Sequence, residues 1–249
     1  MFMSLELNRF ISLLRESASA DDLVDVLTDF TCWLGLERFA MGHHVDLMRP
    51  PRDAIRATNY DMRWVEQVVE SGYLTDDPIH AISMKTVAGF RWDSIDVSRL
   101  TGRQRTILEQ AAQHGLVAGY TIPVSLPGEY FGTCSFAGRS FDRLRPLALE
   151  LSGVIATAAF QKARLIMQKR DGRGEAVIPD LRPRDREALI LVGRGKTDEE
   201  IALIMGTSRW TAHERVERVR RAYGNLPRPS LVLRAVFDNQ FSFADVFRR

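Results

Sequence analysis

Four side chains between residues 59 and 92 could together bind a small molecule through hydrogen bonds. Tyr60, Trp64, Asp77 and Trp92 lie in this stretch, which is the densest run of large hydrogen-bonding residues in the chain. Tyrosine hydroxyls and tryptophan indoles donate to ligand carbonyls, and the carboxylate of Asp77 can accept from an amide N–H. The same residues also suit a second interpretation, in which they are core aromatics followed by a helix capped at Asp77.

A second group of residues, near the C-terminal end, is suited to binding an acidic polymer. One face of a predicted helix is basic and carries Arg209, His213, Arg215, Arg218, Arg220 and Arg221. The opposite face has the helical spacing of a buried stripe and carries Ala212, Val216, Val219 and Tyr223. A helix of this kind can enter the major groove of DNA.

The residues before this helix predict the elements that would position it. Thr197 and Glu200 are spaced as a capping box, which satisfies backbone donors at a helix start. Gly206 then marks a turn, and Ser208 is placed to cap the basic helix. The order helix, turn, basic helix predicts a helix-turn-helix DNA-binding domain.

Before residue 168 the pattern alternates between helices and strands, which predicts a helix–sheet–helix sandwich of the α+β class with room for a ligand between layers. A polar, glycine-bearing segment over 169–178 predicts a linker. We therefore expect a sensor domain over 1–168 and an all-helical DNA-binding domain over 179–249. The predicted elements of the first domain are helices over 4–16, 20–34, 61–71, 76–84, 100–114 and 145–168, and strands over 37–46, 53–59, 120–126 and 130–136.

Composition is that of an ordinary globular protein, and the charge is unevenly spread. The net charge is +2, but from residue 179 onward 14 basic residues face 10 acidic ones. The two cysteines, Cys32 and Cys134, lie in apolar stretches without metal-binding spacing, which favours buried free thiols in a reducing compartment. No apolar run approaches a membrane span, and Glu6 and Arg9 interrupt the N-terminal apolar stretch, so we expect a cytoplasmic protein.

Several motifs together give the chain a strong resemblance to the LuxR-type quorum-sensing transcription regulators. They are Asn59-Tyr60 with Trp64, Asp77-Pro78, Phe90-Arg91-Trp92, Gly119 to Pro123, Gly132 to Ser135, and the C-terminal helix-turn-helix. The resemblance covers nearly the whole chain, in the family's order and at its approximate spacing. It implies a sensor domain that binds an acyl-homoserine lactone, with no cofactor and no metal.

The resemblance also implies a role for each cavity residue. Trp64 would donate to the lactone carbonyl, Tyr60 to the acyl carbonyl, and Asp77 would accept from the ligand amide. Ser135 would supply a further hydroxyl. The ring of Trp92 would line the pocket beside the lactone ring.

The chain departs from the family pattern at Val68. Four residues after Trp64, family members usually carry an aromatic residue that packs along the start of the acyl chain. Valine is smaller, so the pocket should be wider there. This predicts a bulky, branched or aromatic acyl group, or a different signal.

In the DNA-binding domain, the resemblance places the third helix in the major groove of double-stranded DNA. His213 and Glu217 stand where relatives often carry basic residues, and Arg215 replaces a common histidine, which predicts an unusual target sequence. The candidate DNA-contacting residues are Arg209, Thr211, His213, Arg215, Glu217 and Arg218.

Two-fold DNA sites require paired recognition helices, so we expect a homodimer. An apolar face of the predicted helix over 145–168 suits a partner copy, although packing against the domain's own sheet explains part of it equally well. That face carries Leu147, Leu151, Val154, Ile155, Ala158 and Leu165.

The sequence has no nucleophile–histidine–acid set of the kind that would predict an enzyme, and His43-His44 has no further ligands at zinc spacing. The alternative function is the same architecture driven by a non-lactone signal or acting without a ligand.

Overall fold

The computed structural model describes residues 2–52, 54–125, 129–170 and 178–247. The helices and strands form two compact units. The first contains the elements up to the long helix that ends at Arg170, and the second contains the helices from Pro183 onward. Most of the predicted linker, residues 171–177, lies outside the described residues.

The first unit contains seven α-helices and one sheet among its described residues, joined by two short 3-10 turns at 92–94 and 97–99. The helices are α1 (Phe2–Glu16), α2 (Ala20–Leu34), α3 (Met62–Glu70), α4 (Tyr73–Asp76), α5 (Pro78–Ser83), α6 (Gly102–Gln113) and α7 (Ala148–Arg170). The strands are β1 (Arg38–His43), β2 (Arg56–Thr58), β3 (Phe90–Arg91), β4 (Ala118–Val124) and β5 (Gly132–Gly138).

The five strands form an antiparallel sheet in the order β2-β1-β5-β4-β3. Side chains of a strand alternate between the two faces of its sheet. In β5, Cys134 and Phe136 join the large core on one face, whereas Thr133 and Ser135 line a cavity on the other. β5 is buried along its whole length because it is the central strand.

Helices cover both faces of this sheet, as predicted. Phe10 of α1, Phe30 of α2 and Phe160 of α7 pack with Phe136 in one core. On the other face, α3 and α6 contribute a second cluster that includes Trp64 and Ile107. The α/β/α sandwich predicted from sequence is confirmed, and the cavity lies on the face of the second cluster.

The start of the long helix was predicted wrongly. α7 begins at Ala148 rather than at 145, and Leu147 has a φ of 57°, a left-handed conformation that no α-helix continues. Pro146 therefore lies before the helix and not in its first turn. On the apolar face of α7, Ile155 is fully buried whereas Val154 and Leu165 are exposed, so the sheet accounts for only part of that face.

Two smaller expectations also need correction. The predicted helix over 76–84 is interrupted at Asp77, which ends α4 and caps α5. Both cysteines are free, but only Cys134 is buried, whereas Cys32 lies on the exposed side of α2.

The second unit is all-helical over its described residues. Its helices are α8 (Pro183–Gly193), α9 (Asp198–Met205), α10 (Arg209–Ala222), α11 (Arg228–Phe237) and α12 (Phe243–Phe247). Thr197 and Glu200 form the predicted capping box, Gly206 ends α9 in the left-handed conformation, and Ser208 caps α10. Ala212, Val216 and Val219 are fully buried, which confirms these three positions of the predicted stripe, whereas Tyr223 at the C-cap is only half-buried.

Candidate functional site

A largely apolar cavity in the first unit lies between the sheet and helices α3, α5 and α6. All six residues predicted from the sequence to bind a ligand line it, and they come from distant parts of the chain: Tyr60, Trp64, Val68, Asp77, Trp92 and Ser135. Such a cavity, with a few polar groups on apolar walls, has the composition of a small-molecule binding site.

The two carboxylate oxygens of Asp77 have different hydrogen bonding in this geometry. Its Oδ1 accepts a hydrogen bond of 2.8 Å from the backbone N–H of Ile79, which caps α5. No hydrogen bond from the described residues reaches its Oδ2. Because the residue lines the cavity, this second oxygen is available to accept from a ligand N–H. The two interpretations of Asp77, cap and ligand acceptor, are therefore compatible.

Tyr60 and Trp64 supply the neighbouring donors. Trp64 is 5% exposed, and its ring lies 5.3 Å from that of His114 and 6.2 Å from that of Tyr73. Burial raises the pKa of the Tyr60 phenol, and the nearby carboxylate of Asp77 adds to this shift. The Tyr60 hydroxyl consequently keeps its proton at neutral pH and remains a donor.

Trp92 and Ser135 are linked by a chain of hydrogen bonds through Thr121. The indole N–H of Trp92 donates to Thr121 Oγ1 at 2.8 Å, and Thr121 Oγ1 lies 2.8 Å from Ser135 Oγ. The Trp92 ring lies so close to Gly119 that a Cβ there would approach it within 2.3 Å. Glycine thus lets the ring lie flat against β4, where it forms a fixed wall of the cavity.

Val68 lies where this cavity meets a second one in the same unit. The residues common to both linings come from the loop after β1 and from α3, α4 and α5: His44, Leu47, Val68, Leu74 and His80. A larger side chain at position 68 would fill space at this junction. The position of Val68 agrees with the predicted widening of the pocket.

Two histidines at this junction were not predicted as site residues. The rings of His44 and His80 stack with their centroids 3.9 Å apart. Burial lowers the pKa of His44 to about 3, with further contributions from His80 and His43, so His44 is neutral at pH 7. The sequence suggested only a strand-edge pair at His43-His44, because nothing in the chain links these residues to His80 in α5.

In the second unit, several predicted DNA-contacting side chains of α10 form ion pairs with residues of the same unit. Arg209 pairs with Glu199 at 2.8 Å, and His213 Nδ1 lies 2.8 Å from Asp198. Burial opposes ionisation of Asp198, but hydrogen bonds from Arg228 and His213 outweigh it and lower its pKa. The His213–Asp198 contact joins α10 to the start of α9.

Arg218 and Glu217 are also engaged. Arg218 Nη1 bonds both carboxylate oxygens of Asp185 at 3.1 and 3.0 Å, and the Asp185 side chain is only 5% exposed. Glu217 pairs with Arg220 within the helix. Arg215 is half-buried, and its Nη1 has no hydrogen-bond partner among the described residues.

Two further residues, one half-buried and one exposed, lie in the first turn of α10. Thr211 Oγ1 lies 2.8 Å from the capping hydroxyl of Ser208. Trp210 is 73% exposed, an unusual position for a large apolar ring, and it was not predicted as a site residue. Its place between Arg209 and Thr211 was the available signal, because a helix that enters a groove presents its first turn.

Within the described ranges, no group of three or more histidine, cysteine or acidic side chains is arranged to hold a metal ion. A search of the same residues found no helix with the length and apolar character needed to cross a membrane.

Comparison with known proteins places these features in a family. The sequence profile of the autoinducer binding domain matches residues 19–163, which include every candidate ligand-binding residue. The transcriptional activator protein VanR of Vibrio anguillarum is 29% identical over 92% of this chain and 94% of its own length. LuxR of Aliivibrio fischeri is 20% identical over 82% of this chain and 81% of its own.

Solved structures show the same fold. SdiA of Escherichia coli aligns over 96% of this chain and 99% of its own, with a TM-score of 0.66 and 20% sequence identity. A structure of SdiA in complex with octanoyl-rac-glycerol aligns over 95% of both chains with a TM-score of 0.64, also at 20% identity. The resemblance recognised from sequence motifs is thereby confirmed.

Proposed function

The chain belongs to the autoinducer binding domain family as a LuxR-type, ligand-responsive transcription regulator, and from this premise we propose that its signal is an acyl-homoserine lactone with a bulky acyl group. In this proposal, Asp77 Oδ2 accepts from the ligand amide and Trp64 donates to the lactone carbonyl. Tyr60 donates to the acyl carbonyl. The signal is bound and not chemically converted.

The observation that carries this proposal is the unfilled hydrogen-bonding capacity of Asp77. One carboxylate oxygen fixes the side chain by capping α5, and the other lies at a cavity with a protonated tyrosine beside it. An acyl amide offers an N–H next to a carbonyl, which matches an acceptor next to a donor. A ligand without an N–H would leave this carboxylate oxygen covered and unpaired, which costs about 1–3 kcal/mol, so the pairing discriminates against such ligands.

The hydrogen bonds of Trp92 and Ser135 are compatible with the roles that the family resemblance implies. The Trp92 indole N–H is already committed to Thr121, so we propose that its ring and not its N–H faces the lactone. A hydroxyl has one hydrogen and two lone pairs, so Ser135 can bond Thr121 and a ligand together.

A non-lactone signal is the second candidate. The SdiA complex contains octanoyl-rac-glycerol, which has an acyl chain but no amide. Val68 lines both cavities at the position where the family resemblance implies an aromatic ring, and its smaller side chain would leave more room there. Such a ligand would use the apolar walls and leave Asp77 Oδ2 without a partner, which is the feature that separates the two candidates.

We further propose that the protein binds DNA as a homodimer through α10, with a sensor domain over 1–168, a linker over 169–178 and a DNA-binding domain over 179–249. The buried stripe of α10 and the exposure of its first turn support this assignment. The exposed Val154 and Leu165 of α7 suit a partner copy. The ligand would act by stabilising the folded, dimerising form through mass action.

Substitution of Asp77 tests the ligand proposal. Asp77→Asn keeps an oxygen that can cap α5, but it places an amide N–H where the ligand needs an acceptor. We expect the concentration of lactone required for half-maximal reporter activation to rise about 10- to 100-fold, as for a charge-assisted bond. The thermal stability of the unliganded protein should change little.

Two controls complete this experiment. Asp77→Ala removes both the cap and the acceptor, so it should lower the stability and the response together. Mass spectrometry of molecules extracted from the purified wild-type protein identifies the signal directly. An unchanged response of Asp77→Asn to a ligand with an amide would refute the assigned role.

A further inference from the structure

The stacked histidines at the junction of the two cavities present hydrogen-bonding groups to the space beyond Val68. His80 Nδ1 lies 3.4 Å from the carbonyl oxygen of Leu74. A carbonyl oxygen can only accept, so this nitrogen carries the hydrogen. In the neutral ring, His80 Nε2 is then a hydrogen-bond acceptor, and it has no partner among the described residues.

His44 adds a second group to the same place. Its Nε2 lies 3.2 Å from Thr133 Oγ1, and burial keeps the ring neutral by lowering its pKa to about 3. Nδ1 of His44 has no hydrogen-bond partner among the described side chains. A neutral imidazole has one donor and one acceptor, so this nitrogen complements whichever role Nε2 takes with Thr133.

The surroundings of the pair determine what can approach it. Leu47, Val68 and Leu74 line both cavities beside the two rings, and the ring of Phe131 lies 5.2 Å from that of His44. A negatively charged ligand group would lose its hydration against these apolar walls and would approach the carboxylate of Asp46, which lines the second cavity. A methyl end would cover His80 Nε2 without giving it a hydrogen-bond partner.

We propose that the acyl group of the signal ends in a hydroxyl that donates to His80 Nε2, an inference that rests on the proposed function. A hydroxyl donates one hydrogen and still accepts, so it can serve His80 and His44 together. A terminal carbonyl could not donate to His80. Asp77 and Tyr60 bind the amide end of the signal, and the histidine pair selects the opposite end.

Binding of matched pairs of lactones to the full-length protein tests this assignment. The probes are homoserine lactones with ω-hydroxyalkanoyl or hydroxyphenyl-terminated acyl groups, each paired with the counterpart that ends in methyl or phenyl. Dissociation constants come from the concentration dependence of thermal stabilisation. For at least one pair, we expect the hydroxylated lactone to bind ten times more tightly or better.

Two variants assign the effect to His80. His80→Phe keeps a ring that can stack on His44 but removes both nitrogens, so the preference for the hydroxylated probe should vanish while the unhydroxylated probe still binds. His80→Gln retains an acceptor and should keep part of the preference, and it serves as a second variant if the first folds poorly.

The outcomes separate the two proposals. Equal binding within every pair by the wild-type protein, or a preference that persists in His80→Phe, would overturn the hydroxyl assignment and leave the lactone proposal standing. A protein stabilised by no lactone of either series would overturn both.

Discussion

The two units of this protein differ in how far the hydrogen-bonding capacity of their candidate site residues is used by the protein itself. In the sensor unit, Asp77 and His80 each bond the backbone through one atom and leave a second acceptor at a cavity. In the helical unit, Arg209, His213 and Arg218 of α10 are all paired with carboxylates of the same unit. The sensor therefore keeps hydrogen-bonding capacity for a ligand, whereas α10 uses much of its charge to hold its own unit together. An exposed basic residue is for that reason a weaker indication of a contact than an unfilled acceptor beside a cavity.

The largest expected effect tests the structural side of this comparison. Arg218→Ala leaves the carboxylate of Asp185 buried without a counter-charge. Removing one partner of a fully buried pair costs about 3–5 kcal/mol, and because Arg218 is 43% exposed we expect about 2 kcal/mol. Hydrogen exchange of the α8 and α10 amides in the full-length protein would measure this loss.

Arg221→Ala is the matched control for Arg218. Its pair with Glu214 is longer, 3.3 Å, and both partners are more exposed, so its loss should cost less than about 0.5 kcal/mol. If Arg218→Ala weakened DNA binding but left amide exchange like that of Arg221→Ala, Arg218 would be a DNA contact as predicted from sequence. The contrast between the units would then lose its main support.

The second-largest expected effect concerns the volume of the cavity beside residue 68 in the sensor unit. Val68→Tyr should fill the junction between the two cavities and weaken the response to bulky acyl groups about tenfold, while slim linear lactones respond as well or better. Dose–response curves for a panel of lactones would show the change in preference. Val68→Ala enlarges the same space and should leave bulky groups favoured. An unchanged order of preference in both variants would mean that residue 68 does not contact the acyl group.

The smallest effect concerns the charge state of the histidine pair. The pKa of His44 in the folded protein is about 3, below its ordinary value, so the unfolded chain takes up this proton first as the pH falls. The sensor unit should therefore lose stability below about pH 6.5, at a rate that cannot exceed about 1.4 kcal/mol per pH unit. Since His44 is only partly buried, we expect about 1 kcal/mol between pH 7 and pH 5.

His44→Gln removes the titrating group and is the comparison for this measurement. The difference in unfolding free energy between wild type and variant should shrink as the pH falls from 7 to 5, because only the wild type loses this contribution. A difference that stays constant over this range would show that His44 takes up its proton over the same pH range in the folded and the unfolded protein. The ring of His44 would then be protonated in the folded sensor unit as well at the lower end of this range.

Local rules predicted the elements of this fold well. The capping box at Thr197, the cap at Ser208 and the buried stripe from Ala212 to Val219 each depend on residues within a few turns of one another. Family motifs identified six of the residues that line the cavity. The start of α7 was predicted three residues too early, because the left-handed conformation of Leu147 has no signal in residue type.

The contacts that could not be predicted join distant parts of the chain. Asp185 and Arg218 are 33 residues apart, and the histidine stack joins the end of β1 to α5. Residue types and helical periodicity specify which face is buried, but not which charged side chain lies opposite another. Predictions from the sequence therefore named Arg218 as a DNA contact and left its partner, Asp185, without a role.

Exposure of Trp210 has an optical consequence. The chain has four tryptophans, of which Trp33, Trp64 and Trp92 belong to the sensor unit and pack at least partly into it, whereas Trp210 is 73% exposed at the start of α10. An indole in water emits at longer wavelengths than one in an apolar interior and is open to soluble quenchers. The red edge of the protein's intrinsic fluorescence therefore comes mainly from the first turn of α10, without any attached dye.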